Sequence, residues 1–161
     1  MNNQDLSFLD AIRIASEAEA KAVEFYAEAA DNTENPLGRK LLNQLAEFEK
    51  HHHTQLVALE ESLCDRGACI WYEGKKLDLQ VPDEVEKIRD ANKMSAVAII
   101  DTAIEIKRKA EKRYALLAEQ TSDPSGVDMF QKLALEERAN RQILQEAYWS
   151  VNNRGVWIPS E

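Results

Sequence analysis

Apolar residues recur at helical spacing along almost the whole chain. The spacing predicts four long helices, over residues 5–31, 36–65, 93–121 and 125–151. A short polar turn connects the first helix to the second, and another connects the third to the fourth: Thr33–Gly38 and Thr121–Gly126. Each turn contains a proline at the position that opens the following helix. Since short connections join neighbouring helices, we expect two hairpins, over about 5–67 and 93–155.

The segment between the hairpins, residues 68–92, lacks a continuous helical pattern and is interrupted by a glycine and a proline. Residues Asp83–Arg89 are compatible with one short helix. We interpret the segment as a long crossover between the second and third helices. Its aromatic residues Trp71 and Tyr72 are expected to cover an edge or an end of the bundle.

The two hairpins are copies of each other. A shift of 88 residues aligns Ile12–Gly67 with Ile100–Gly155 without a gap, and 18 of the 56 positions are identical. Chance would give a handful of identities. Two such hairpins bury their apolar faces against each other, so the predicted fold is an all-α four-helix bundle that forms a single domain over residues 1–161.

Composition and charge exclude several classes of protein. The chain has 161 residues, of which 44% are hydrophobic and 30% charged, and its net charge is −9. The excess negative charge argues against nucleic acid as a partner, and no apolar run is long enough to span a membrane. No secretion leader is recognisable, so we expect a cytoplasmic protein. Cys64 and Cys69 form no CxxC pair; they are either redox-active or, as the simpler interpretation, reduced structural thiols.

The apolar face of each helix is interrupted by polar residues near its middle. In both hairpins these positions lie 15 residues from the centre of the turn, or roughly 22 Å along a helix, so they face one another at the same height. We therefore expect one polar layer in the core, made of Glu19, Glu49, His52, Lys107, Glu137 and Asn140.

Buried carboxylates that are close together repel one another, and each is costly unless it is paired. Either they share protons or a cation lies among them. The Glu49-x-x-His52 spacing places a carboxylate and an imidazole on one face of a helix, as metal sites in helical bundles require. Carboxylate oxygens together with an imidazole favour a divalent first-row transition metal.

Two stretches resemble a known family. Glu19–Tyr26 is similar to the first helix of the rubrerythrin-type, ferritin-like di-iron carboxylate proteins, and Leu45–His52 is similar to their second helix. Those proteins carry a glutamate on helices one and three and Glu-x-x-His on helices two and four. The resemblance implies a ferritin-like fold, iron ahead of manganese or zinc, and a homodimer. It also implies peroxide reduction, ferroxidase activity or iron handling. Tyr26 and Tyr114, on the inward faces of helices one and three, are interpreted as core aromatics that can hydrogen-bond to a ligand carboxylate.

The second hairpin departs from the family pattern at two positions. Lys107 stands where helix three would carry glutamate, and Asn140 replaces the histidine of helix four. Three carboxylates and one ammonium leave a charge of −2, which one divalent ion balances. Our hypothesis is that the Lys107 ammonium replaces the second metal and pairs with Glu137 and Glu49. A single ion would then be held by Glu19, Glu49, His52 and Glu137.

Three functional interpretations stay open at this point. The first is a single-metal ferritin-like protein with residual redox or iron-handling activity. The second is a complete di-iron oxidoreductase whose second metal uses other ligands, such as Glu105 or Glu136. The third is a metal-free homodimer that serves as a structural or partner-binding protein. Lys107 has two further interpretations, as a side chain that extends to solvent or as a catalytic amine. The sequence identifies neither an electron donor nor a protein partner.

Overall fold

The computed structural model describes residues 3–82 and 84–158 as an all-helical bundle without strands. Its helices are α1 (Asn3–Asp31), α2 (Pro36–Arg66), α3 (Asp90–Gln120) and α4 (Pro124–Arg154). The predicted four-helix fold is confirmed. Each predicted end lies within three residues of the observed one, as expected because helix ends fray and carry little periodic signal.

Both hairpin turns begin the second helix in the same way. The Asn35 side chain accepts hydrogen bonds from the backbone N–H groups of Leu37 and Gly38, both at 3.1 Å, and Pro36 opens α2. Asp123 accepts from the N–H of Ser125 at 3.0 Å at the start of α4. Each cap satisfies amide groups that have no partner inside the helix. The repeated sequence therefore produces a repeated local structure.

The second helix of each hairpin also ends in the same way. Gly67 and Gly155 follow α2 and α4 with φ angles of 66° and 68°, a left-handed conformation that glycine adopts without steric cost. Their N–H groups donate to the carbonyl oxygens of Leu63 and Val151, at 3.0 and 3.1 Å. After α2 and again after α4, the chain is thereby redirected across the end of the bundle.

The polar residues in the middle of the helices divide the apolar core into two clusters. The cluster nearer the α1–α2 turn contains Tyr26, Leu45, Ile100 and Leu144, and the other contains Ile12, Leu56, Tyr114, Phe130 and Leu133. Helices α1 and α2 pack closely along their lengths, as do α3 and α4, whereas α1 and α3 approach each other less. The layer between the clusters is thus enclosed above and below by apolar side chains.

The crossover is extended rather than helical. The prediction of a short helix at Asp83–Arg89 is wrong for residues 84–89, and Asp83 lies outside the described residues. Backbone groups of the crossover bond to the hairpins instead: Asn35 Nδ2 donates to the Glu86 carbonyl at 2.9 Å, and the Ile88 N–H donates to the Gly155 carbonyl at 2.7 Å. These bonds replace the i→i−4 bonds that a helix would need.

The crossover covers the bundle with one of its two aromatic residues. Tyr72 is buried, at 2% exposure, whereas Trp71 is 74% exposed and lies beside the Lys132 ammonium. Trp71 therefore does not cover an edge or an end of the bundle within one chain. None of the helices in the described part of the chain combines the length and the apolar character that a membrane span needs.

Each hairpin turn is covered by the segment that leaves the other hairpin. Trp157, which follows α4, packs on Gly38 of the first turn, and Cys69, which follows α2, packs on Gly126 of the second. The two pairs are related by the same 88-residue shift. Burial and the nearby Asp123 raise the pKa of the Cys69 thiol to about 11, and Cys64 and Cys69 are both free.

The close approach at Gly38 predicts a stability effect. A Cβ atom at this position would overlap the buried Trp157 indole, so Gly38→Ala should destabilise the protein by about 1–3 kcal/mol in urea unfolding. The Trp157→Leu background tests the cause, because the smaller side chain leaves room for the methyl group. An equal cost of Gly38→Ala in both backgrounds would show that the indole is not responsible.

Candidate metal centre

The structure places the six predicted polar residues in one layer in the middle of the bundle. All six are buried, with side chains from all four helices and exposures of 2% or less: Glu19, Glu49, His52, Lys107, Glu137 and Asn140. Lys107 is 0% exposed, so the interpretation that its amine extends to solvent is wrong.

Four of these residues can converge on one ion. Glu19, Glu49, His52 and Glu137 each offer a ligand atom, and these atoms all lie within 4.8 Å of one another. His52 Nδ1 lies 3.0 Å from Glu137 Oε1, 3.7 Å from Glu49 Oε2 and 3.8 Å from Glu19 Oε1. Three carboxylates and one imidazole therefore surround a common point.

A fifth side chain, Glu136, fixes the orientation of the imidazole. Glu136 Oε2 lies 3.1 Å from His52 Nε2. A carboxylate only accepts hydrogen bonds, so Nε2 carries a proton, and Nδ1 is directed at the three carboxylates, where a metal would take its lone pair in place of a proton. Metal-binding histidines in proteins usually donate their other ring N–H in this way.

Glu136 is itself held by the crossover. Its Oε2 accepts a hydrogen bond from the Tyr72 hydroxyl at 2.6 Å, and its Oε1 accepts one from the backbone N–H of Lys75. Burial and this bond to Glu136 raise the pKa of the Tyr72 hydroxyl well above its usual value, so it stays a donor. Glu136, considered above as an alternative ligand of a second metal, instead contacts the distal nitrogen of His52.

Lys107 occupies a pocket of its own beside the four-residue cluster. Its ammonium forms ion pairs with Glu49 Oε1 and with Glu137 Oε2, the latter at 3.1 Å. It also lies 5.5 Å from the centre of the Phe48 ring and 5.7 Å from that of Tyr26, within the range of cation–π attraction. Two carboxylates and two aromatic rings thus surround one buried cation.

The two repeated tyrosines differ in their contacts. The Tyr114 hydroxyl donates to Glu19 Oε1 at 2.5 Å, whereas the Tyr26 hydroxyl has no hydrogen-bond partner among the described residues. Burial, reinforced by nearby glutamates, raises the pKa of both hydroxyls well above the usual value. Tyr114 therefore supports one carboxylate of the layer, and Tyr26 contributes its ring to the Lys107 pocket.

The electrostatics of the layer favour positive charge. Burial by itself lowers the pKa of His52, but Glu136, Glu137 and Glu19 reverse this effect and hold it well above the ordinary value. Burial raises the pKa of Glu19, and the stronger combined effect of His52, Lys107 and Tyr114 lowers it. The two shifts have a common origin, because negative carboxylates stabilise the protonated imidazole of His52, and the positive groups beside Glu19 stabilise its carboxylate.

Two buried polar atoms of the layer, Glu19 Oε2 and Asn140 Nδ2, lack a hydrogen-bond partner among the described residues, and the two Glu137 oxygens and His52 Nδ1 contact only other charged groups of the layer. Buried polar atoms without partners are rare in folded proteins and need an explanation. The four oxygen and imidazole atoms are donors that suit a divalent transition metal. The residues present therefore fit one such ion.

The same residues do not fit a second ion. The 88-residue shift relates His52 to Asn140, Glu19 to Lys107 and Glu136 to Phe48. A second metal would need a glutamate, a histidine and a carboxylate that orients this histidine, and the chain has an ammonium, an amide and a phenyl ring instead. Glu105, an alternative ligand considered above, is half-exposed and pairs with Arg108.

Comparison with known proteins agrees with this architecture. The family model described as Rubrerythrin matches residues 1–60, which comprise the first two residues, α1 and most of α2. The first hairpin is therefore similar to rubrerythrin over most of its length. This match confirms the resemblance to the rubrerythrin-type, ferritin-like family, and it includes Glu19, Glu49 and His52.

A solved structure of a hypothetical protein from Pyrococcus furiosus is similar over nearly the whole chain. It has 25% sequence identity and a TM-score of 0.72, with 99% of this chain and 97% of that chain covered. No curated protein sequence matches significantly. The solved structure supports the fold over both hairpins, whereas the family match stops before the residues that replace the second metal site.

Proposed function

We propose that this chain is a ferritin-like metal-binding protein that holds one divalent transition metal, with iron preferred over manganese or zinc. The ligands are Glu19, Glu49, His52 and Glu137, and Lys107 supplies the second positive charge of the layer. The resemblance to rubrerythrin-type proteins supports iron, because members of that family use it.

The observation that carries the proposal is the orientation of His52. Its Nε2–H is fixed on Glu136, and its Nδ1 faces three carboxylates, the nearest of which is Glu137 at 3.0 Å. A histidine that only filled space in the core would not need an anchored carboxylate behind it. Charge agrees with this assignment, because the three carboxylates and Lys107 sum to −2 and a divalent ion makes the layer neutral.

The residues around the ion have separate roles. Glu136 keeps the His52 imidazole in the tautomer that binds metal, and Tyr114 holds one oxygen of Glu19 in place. The two apolar clusters exclude water above and below the layer. A bound ion of this kind would supply Lewis acidity and, if it is iron or manganese, one-electron redox chemistry.

The arrangement argues against two-metal oxidase or peroxidase chemistry. In this proposal the Lys107 ammonium, which is paired with Glu49 and Glu137, takes the place of a second ion. The protein is therefore proposed to bind metal or to handle iron rather than to act as a di-iron oxidoreductase. An assay of ferrous oxidation with oxygen uptake separates the two functions.

Metal content is the direct test of the proposal. Chelator-treated protein is dialysed against Fe²⁺ without oxygen, or against Mn²⁺ or Zn²⁺, and elemental analysis should give one ion per chain. Two ions per chain would support the di-iron alternative. No bound ion would support the metal-free structural protein.

A variant of Glu136 tests the role of the anchored imidazole. Glu136→Gln keeps the size of the side chain but removes its charge, so metal affinity should fall about 10–100-fold in a competition titration with a chelator. Glu146→Gln, an exposed change on the same helix, should leave the affinity unchanged. Equal affinities for the two variants would contradict the assignment of Glu136.

The homodimer expected from the resemblance is part of the same proposal. Light scattering coupled to size-exclusion chromatography should give twice the mass of the 18.3 kDa chain. A monomeric mass would remove the dimer from the proposal without affecting the metal site, because all four proposed ligands come from one chain.

A further inference from the structure

Two of the proposed ligands divide their carboxylate oxygens between Lys107 and His52. Glu49 Oε1 pairs with the Lys107 ammonium, while Glu49 Oε2 lies 3.7 Å from His52 Nδ1. Glu137 Oε2 lies 3.1 Å from the same ammonium, while Glu137 Oε1 lies 3.0 Å from His52 Nδ1. In both side chains, one oxygen therefore faces the ammonium and the other lies on the His52 side of the layer.

The Lys107 ammonium is held in this position by everything around it. The side chain is 0% exposed, and Nζ lies 5.5 Å from the centre of the Phe48 ring and 5.7 Å from that of Tyr26. A buried charge that loses its partners is costly, so the two carboxylates and the two rings keep the ammonium where it is. Lys107 is thus a fixed positive charge beside the metal centre.

The tyrosine hydroxyls of the layer do not offset this charge. Burial raises the pKa of the Tyr26 and Tyr114 hydroxyls well above the usual value, and nearby glutamates raise it further, so both stay neutral. Glu136 adds a carboxylate behind the His52 imidazole, where it is already hydrogen-bonded to the crossover. The charge that distinguishes this site from one built only of carboxylates and imidazole is therefore that of Lys107.

A fixed positive charge acts unequally on ions of different charge. Its repulsion is proportional to the charge of the ion, so a trivalent ion is repelled half as strongly again as a divalent one. The two apolar clusters exclude water that would otherwise screen this repulsion. The shared carboxylates add to the effect, because each of them also neutralises part of the ammonium charge.

We propose that Lys107 is the specificity-determining residue of the metal site, which selects a divalent ion over a trivalent one. The ferrous form of bound iron is favoured, because the loss of an electron would place a third positive charge beside the fixed ammonium. This inference rests on the proposed metal site and adds the oxidation state that the site selects. One unit of charge at this range corresponds to a selectivity on the order of 100-fold.

Competition between Zn²⁺ and Ga³⁺ measures the selectivity without any enzymatic assay. Neither ion changes its oxidation state, and Ga³⁺ has the charge of ferric iron. Nitrilotriacetate sets the free concentrations, and elemental analysis gives the bound ratio. Zn²⁺-loaded wild-type protein should keep its Zn²⁺ at an equal free concentration of Ga³⁺. Lys107→Met should raise the ratio of Ga³⁺ affinity to Zn²⁺ affinity about 100-fold.

The ratio of the two affinities separates charge from structure, because a general loss of stability or packing weakens both ions together. Lys112→Met removes an exposed positive charge from the same helix and should leave the ratio unchanged, since solvent and salt screen it. Lys107→Arg keeps the buried positive charge and should keep the ratio close to that of the wild type.

The redox potential of bound iron gives a second measurement. Lys107→Met should lower the ferric/ferrous midpoint potential of the iron-loaded protein by about 120 mV, which is the 100-fold ratio converted at about 59 mV per tenfold change. Lys112→Met is again the control and should leave the potential unchanged.

The outcomes distinguish the two proposals. If Zn²⁺ binds but Ga³⁺ displaces it from the wild type at equal free concentration, the selectivity is refuted and the metal site stands. The same conclusion follows if Lys107→Met has the wild-type ratio, or if Lys107→Arg changes the ratio as much as Lys107→Met. The wild-type competition decides alone if Lys107→Met does not fold. If Zn²⁺ does not bind at all, both proposals fail.

Discussion

Lys107→Met should destabilise the metal-free protein by about 3–5 kcal/mol, the usual cost of removing one partner from a buried ion pair. Methionine keeps much of the volume and the apolar stem but removes the ammonium. Glu49 and Glu137 would then be buried, 1% and 0% exposed, without the cation that they share. Two adjacent uncompensated carboxylates repel each other and also repel Glu19.

Urea unfolding in the presence of a chelator measures this effect. Lys112→Met, an exposed change on the same helix, should cost less than about 0.5 kcal/mol. Zn²⁺ should raise the melting temperature of Lys107→Met more than that of the wild type, because a divalent ion replaces charge that the variant has lost. Equal unfolding midpoints for Lys107→Met and the wild type would show that the ammonium does not stabilise the layer.

Lys107→Glu combined with Asn140→His should increase the metal content to two ions per chain from the one that we propose for the wild type. The double variant removes the ammonium and supplies the glutamate and the imidazole that the first half of the chain already has. Four carboxylates with two divalent ions again give a neutral layer. Elemental analysis and titration with Co²⁺ or Zn²⁺ measure the number of ions directly.

In the structure, a histidine at position 140 would lack the carboxylate that orients His52. The introduced imidazole at position 140 would have Phe48 where His52 has Glu136, so no carboxylate would fix its tautomer. The additional change Phe48→Glu should therefore tighten the second ion about 10–100-fold relative to the double variant. Lys112→Glu with Asn140→His is the matched control and should keep one ion. One ion or fewer in both the double and the triple variant would refute the correspondence between the halves.

The main features of the fold could be predicted because they follow from periodicity. A period near 3.6 places Glu19, Glu49, Lys107 and Glu137 on inward faces, and equal distances from two turns place them at one height. The pairing of Lys107 with Glu137 and Glu49 could also be predicted from the sequence, because a buried ammonium among carboxylates has few other partners. These expectations need only the sequence and standard helix geometry.

Glu136 and the path of the crossover could not be predicted in the same way. Glu136 lies next to Glu137 and falls beside the apolar face, so its position alone is that of a solvated glutamate. Its role depends on Tyr72 and on the backbone N–H of Lys75, which a non-helical segment brings to it. The internal repeat shows that Phe48 stands where the second half has Glu136. The importance of this difference becomes clear only from the contact between Glu136 and His52.

The mutual covering of the two turns has a consequence for the origin of the chain. Trp157 packs on the turn of the first hairpin and Cys69 packs on the turn of the second, so each turn is covered by a residue that follows the other hairpin. Two separate, identical hairpins related by a twofold axis would close each other in the same manner. The single chain thus has the geometry of a hairpin dimer whose subunits became covalently joined. In a single chain the two halves need not be identical, so one half can carry the His52 imidazole and the other the Lys107 ammonium.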